Sequence, residues 1–154
     1  MRTATHVSSD APLRRLLLAI VLLGTVGLLV ELALLAHVEA VWQWIPLALL
    51  GVALAAELAV AVRRRAGAIR VLRAVMALCV AAGAVGVYLH YRGNAEFALE
   101  RDGSLRGLHL FWEAVRGATP ALAPAALSQL GLLGLAYTYR HPALGGTSPS
   151  PHSD

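Results

Sequence analysis

Apolar residues gather in four long stretches, Leu16–Ala36, Ile45–Val62, Ile69–Tyr91 and Pro120–Tyr139, with polar breaks between them. An α-helix needs roughly 20 residues to cross about 30 Å of hydrocarbon. The four stretches hold 21, 18, 23 and 20 residues, so each is long enough or nearly so. In hydrocarbon a backbone must satisfy its own N–H and C=O groups, which makes each stretch a predicted helix. The expected fold is an all-α integral membrane protein, a four-transmembrane-helix bundle spanning residues 14–141.

The breaks carry the expected punctuation. Residues 1–13 are polar and are expected to form a disordered cytoplasmic tail. Arg14 and Arg15 precede the first span. That span is longer than the apolar core of a signal peptide and contains Glu31, so an uncleaved helix is the expectation. Trp42 and Trp44 sit at the start of the second span, with Pro46 in its first turn, where a missing N–H costs nothing. Arg63, Arg64 and Arg65 end it, and Ala66-Gly67-Ala68 reads as the turn into the third span. Thr119 and Pro120 read as cap and first residue of the fourth span, and Ser128 and Gln129 within it as interhelical hydrogen-bonders. Residues 142–154 are Ser/Pro/Gly-rich and are expected to be a second disordered tail.

The third helix is expected to run past the membrane toward Arg101, within an outer loop over residues 92–118. Asp102-Gly103 reads as its break, and Ser104 as the cap of a short new helix. There Leu105, Leu108, Trp112 and Val115 follow helical spacing, while Arg106, His109, Glu113 and Arg116 fall elsewhere. Such a segment is expected to be an amphipathic helix lying in the outer interface.

Charge adds orientation. Of the 13 basic residues, all arginine, nine flank one side: Arg2, Arg14, Arg15, Arg63, Arg64, Arg65, Arg70, Arg73 and Arg140. Arg92, Arg101, Arg106 and Arg116 lie on the other, matched by Glu96, Glu100, Asp102 and Glu113. The positive-inside rule then places both termini in the cytoplasm. Charged residues make up 14% of the chain, well under the roughly quarter usual for soluble domains, which supports a single membrane domain. Ala, Leu, Gly and Arg dominate, and the expected location is a bacterial cytoplasmic (inner) membrane. The net charge of +4 is better explained by anionic lipid than by nucleic acid, because no aromatic–basic surface accompanies it.

Candidate chemistry is sparse. Cys79 is the single cysteine and is expected to pack as a small hydrophobe. Glu31 and Glu57 are carboxylates within spans, and such groups tend to face protein or water. Glu31 shares helical spacing with Gly24 and Gly27, which points it into the bundle. The structural expectation pairs Glu57 with Arg73 or Arg70, and Glu31 with Arg92 or His90. The functional alternative makes the two carboxylates proton or cation sites of a small transporter acting as an oligomer. On the outer side, His37, His90 and His109 are candidate ligands for a metal or haem iron, though no pair has a metal-binding spacing. Cys79, Gly83, Gly86 and His90 share one helix face, so both glycines and His90 are expected to look at a neighbouring helix. The sequence requires no cofactor.

Seven of the nine aromatic residues lie on the outer side, with Trp42, Trp44, Phe111 and Trp112 a candidate docking surface within an interfacial belt. A weak internal repeat relates Arg14, Gly24, Gly27 and Glu31 to Arg73, Gly83, Gly86 and His90, each 59 positions later. No catalytic or nucleotide-binding motif is present. The leading expectation is a non-enzymatic accessory or scaffold subunit of a larger membrane complex. A metal- or haem-binding membrane protein and a proton-linked transporter are the alternatives.

Overall fold

A computed structural model of the chain describes residues 10–35 and 43–145. Among these, every regular element is helical: α1 Asp10–Leu34, α2 Trp44–Val62, α3 Ala66–Arg101, α4 Gly107–Val115 and α5 Ala125–Thr138, followed by a single 3₁₀ turn, Pro142–Leu144. Three helices are long and apolar enough to cross a membrane: Ala11–Leu34, Trp44–Val62 and Ala66–Arg101. The fourth apolar helix, α5, is shorter.

Several boundaries depart from expectation. The first helix begins at Asp10, so residues 10–13 are helical rather than part of a disordered tail. Pro12 is tolerated there because a first-turn N–H has no helical partner. Ala66-Gly67-Ala68 is not a turn but the first residues of α3, and Arg63-Arg64-Arg65 makes the whole connection. Ser104 caps nothing: its N–H and Oγ both donate to the Asp102 carboxylate, at 2.9 and 2.6 Å, and α4 starts only at Gly107. Thr119-Pro120 does not open the fourth helix. Residues 120–127 instead make successive i→i+3 turns, and α5 is regular from Ala125. Prolines 120 and 124 each lack an N–H, which keeps an α-helical ladder from extending back through this segment.

Around the bundle, α1 packs on α2 and α5, and α3 packs on α2 and α5, so the four long helices form a closed square with α4 attached to α3. The core is built from Val21 of α1, Leu50, Ala53 and Val60 of α2, Ile69, Leu72, Met76 and Cys79 of α3, and Leu130 and Tyr137 of α5. The outward faces are as apolar as the core: Leu23, Leu78 and Leu132 are each more than half exposed. A water-soluble monomer rarely tolerates apolar surface of that extent, whereas hydrocarbon does.

The tightest interface is α3 against α5. A Cβ on Gly83 would stand 2.6 Å from the Ser128 nitrogen and 2.8 Å from the Pro124 carbonyl oxygen. One on Gly86 would stand 2.7 Å from Pro124 Cβ, and one on Gly131 2.6 Å from the Met76 carbonyl oxygen. Both α3 glycines therefore face a neighbouring helix, as their spacing predicts. Ser128 Oγ donates across this contact to the Val80 carbonyl at 2.9 Å, but Gln129 is exposed.

At the arginine-rich end, two side chains close α5. Arg14 Nη1 donates to the carbonyls of Tyr137 and Tyr139 at 2.8 and 3.0 Å, and Nη2 to that of Arg140 at 3.2 Å. Arg73 Nη2 donates to the Thr138 carbonyl at 3.1 Å. Of these carbonyls only that of Thr138 also accepts a backbone bond, from the His141 N–H at 3.3 Å, and the negative end of the helix dipole favours the cations. The start of α1, the α2–α3 turn and the end of α5 thus gather at one end, and α4 lies at the other.

Candidate functional site

Glu57 occupies the inside of the bundle. Its side chain is completely buried, and Oε1 accepts a hydrogen bond from Thr25 Oγ1 at 2.7 Å. Thr25, on α1, is also fully buried. Oε2 has no partner. Cys79 of α3 is likewise fully buried in the same core. No arginine reaches Glu57: the expected pairing with Arg73 or Arg70 does not form. Arg73 turns instead toward the end of α5, onto Thr138, and Arg70 is exposed. The reason is directional. Long side chains within a span reach for the polar boundary, and α5 offers open carbonyls there.

Glu31 does not point into the bundle. Its side chain is exposed on α1. Gly24 meets Leu130 of α5, but Gly27 has nothing within 4 Å, so the glycine spacing misstates the packed face. Nor does Glu31 pair with Arg92 or His90. Arg92 Nε donates to Glu96 Oε1 at 2.8 Å, within one helix and with both side chains exposed. His90 Nδ1 lies 3.1 Å from the Pro120 carbonyl, so His90 looks at the turn leading into α5.

Of the three candidate histidine ligands, the structure describes His90 and His109. His37 lies outside the described residues. His90 is engaged with Pro120, and His109 is exposed on α4. No three His, Cys, Asp or Glu side chains among the described residues are placed to hold a metal.

What organises the α4 end of the bundle is Asn94. Its Nδ2 donates to the Ala114 carbonyl at 2.9 Å and the Thr119 carbonyl at 2.6 Å, and its Oδ1 accepts from the Thr119 N–H at 3.3 Å. One buried amide thereby ties α4 and the following turn to α3. The Arg101–Glu113 pair, at 3.4 Å, adds an exposed contact between the same two helices. Ala114 is fully buried against α3, while Leu108, Phe111 and Trp112 remain 78%, 42% and 53% exposed. Phe111 bridges Tyr91 and Trp112, with ring centroids 5.9 and 5.4 Å away. Trp44 is exposed at the start of α2, and Trp42 lies outside the described residues.

Three residues of this architecture escape sequence reasoning. Asn94 lies in an otherwise exposed polar run, and nothing in its spacing marks it. Thr25 is a lone hydroxyl in an apolar helix, a residue type that commonly bonds its own backbone. His141 lies just past the last span. Its ring is nearly buried, and its Nδ1 accepts the Ala143 N–H at 3.1 Å, capping the 3₁₀ turn. No protein-family model, curated protein or solved structure matches this chain.

Proposed function

We propose that this chain is a small multi-pass protein of a bacterial inner membrane, with four spans and both termini cytoplasmic. It acts as a non-enzymatic accessory or scaffold subunit. The observation that carries this reading is the outer segment. Asn94 fixes α4 firmly on α3, yet Leu108, Phe111 and Trp112 are left uncovered. An ordered segment with uncovered aromatic side chains offers the anchors that protein interfaces favour. As an amphipathic element it lies in the outer headgroup layer, where a partner membrane subunit meets it sideways. The test is a photo-crosslinking residue at position 112 in cells, with position 132 on the lipid-facing side of α5 as control. A discrete protein adduct at 112 alone supports the reading, and lipid adducts at both positions overturn it.

A second reading rests on Glu57. A buried carboxyl group with one unpartnered oxygen and no arginine partner among the described residues is a functional candidate wherever it occurs in a span. Its chemistry is proton exchange. Glu31, exposed on another face, adds nothing to a path through the bundle. Proton flux into liposomes that Glu57→Gln abolishes would favour this reading over a scaffold.

A further inference from the structure

A cleft of about 310 Å³ opens at the arginine-rich end, lined by Ala11 and Arg14 of α1, Arg64 of the α2–α3 turn, and Tyr137, His141 and Ala143 at the end of the chain's last helix. Its chemistry is one-sided. Two guanidinium groups flank it, and both act electrostatically on His141. His141 Nδ1 already accepts the Ala143 N–H, so the neutral ring carries its proton on Nε2, which is left as a donor. The inner wall holds two further donors that lack an acceptor: Arg14 Nε–H and the hydroxyl of Tyr137, a residue only 2% exposed. Arg64 is exposed and makes no hydrogen bond or ion pair among the described residues.

An excess of donors and positive charge, with no carboxylate among the residues that line the cleft, is the complement of an oxyanion. The cleft also sits where the bundle meets the headgroup layer, and basic pockets between helix ends at that depth suit phosphate-bearing headgroups. We propose that this cleft binds a phosphate-bearing anion, with Arg64 at the rim and Arg14, Tyr137 and His141 within. The phosphate belongs either to an anionic phospholipid or to a soluble ligand. The inner-wall atoms are closed off from solvent, so the anion reaches them only by parting that wall, whereas Arg64 is open to meet it first.

Thermal unfolding of the full chain in a neutral detergent tests this. The probes are phosphatidylglycerol, phosphatidylcholine and inorganic phosphate. The variants are Arg64→Gln, which removes the rim charge, and Ala11→Trp, which fills the cleft from an exposed position. Arg70→Gln, an exposed arginine at the same end but outside the cleft, is the control. Phosphatidylglycerol should raise Tm by roughly 4 °C more than phosphatidylcholine, as ligand linkage to the folded state requires. Arg64→Gln and Ala11→Trp should each remove most of that difference, and Arg70→Gln should keep it. A variant-sensitive shift with inorganic phosphate alone assigns the site to a soluble phosphate. Equal shifts from the two lipids with none from phosphate, or equal loss in Arg64→Gln and Arg70→Gln, would overturn the proposal.

Discussion

Thr25 provides the one hydrogen bond made to a carboxyl group that the bundle encloses completely. That arrangement decides how substitutions should behave. Removing Thr25 strands both oxygens of Glu57, and a buried polar group left without a partner costs about 1–3 kcal/mol. Thr25→Val should therefore lower stability by about that amount in a detergent unfolding assay. Glu57→Leu should be close to neutral. It removes an orphaned oxygen, leaves Arg73 on its Thr138 partner, and lets Thr25 bond its own helix. An outcome in which Glu57→Leu is the more damaging of the two would show that the carboxylate has a partner beyond Thr25. His141 gives a separate, pH-dependent test. Burial first, then the charges of Arg14 and Arg64, hold its imidazole below the ordinary value of 6.5. Between that lowered value and 6.5 the unfolded chain binds more protons than the folded one, so stability rises with pH there. The contribution is complete above 6.5 and is lost as pH falls toward the folded value. His141→Asn keeps an acceptor for the Ala143 N–H without the titration. The Tm difference between wild type and variant should shrink on acidification from pH 8 to pH 5, and a constant difference would refute the assignment.

At the scale of elements, small residues set the geometry. The α3–α5 contact is close because Gly83, Gly86, Gly131 and Gly134 let backbone and side chains approach where a methyl group has no room. Gly83→Ala should destabilise the bundle by about 1–3 kcal/mol, since besides the Ser128 hydroxyl it meets the Ser128 nitrogen and the Pro124 carbonyl oxygen, backbone atoms that cannot rotate away. Gly27→Ala meets nothing within 4 Å and should be neutral or gain up to about 1 kcal/mol from helix propensity. If both glycines tolerate alanine equally, the close contact is absent in the membrane. The same comparison explains what the sequence made legible. Hydropathy located α2 to within a residue, because its ends carry tryptophan on one side and three arginines on the other. The Cys79-Gly83-Gly86-His90 face was legible because four positions agree on one stripe. Glu31 was not, because Gly24 packs and Gly27 does not, and spacing cannot say which glycine meets a neighbour. The start of α5 was misplaced by five residues because Pro120 and Pro124 both suit a first turn, and only the packing on α3 selects the later one. The 59-residue repeat has a partial counterpart: Arg14 and Arg73 both end on α5 carbonyls, one from α1 and one from α3.

The whole molecule turns on which end faces the cytoplasm. The start of α1, the Arg63–Arg65 turn and the end of α5 share one end, because Arg14 and Arg73 bond directly to carbonyls of residues 137–140. An odd number of crossings would separate the start of α1 from the end of α5, so this geometry supports four. The doubtful member by length is α5. Its 14 residues rise about 21 Å at 1.5 Å each, short of the roughly 30 Å of hydrocarbon. In the proposed four-span bundle, the successive turns of residues 120–127 supply the missing depth. Gly83 and Gly86 pack on Pro124, His90 engages the Pro120 carbonyl, and Asn94 holds Thr119 just before them, so their irregular backbone is partly shielded from lipid. The proposed orientation puts the shared end in the cytoplasm, and its support is the arginine bias, nine against four that are offset by carboxylates. Reporter fusions at Ala66 and Gly145 should both report inside, and a fusion at Gly103 should report outside. Reversing the bias tests the cause. Replacing Arg63, Arg64 and Arg65 together with Gln leaves Arg14 and Arg73 on α5 but removes three of the nine charges. It should yield a mixed population at Gly103 without separating residues 66 and 145. A Gly145 reporter that moves independently of the Ala66 reporter would mean that α5 does not cross, and the four-span bundle would fall with it.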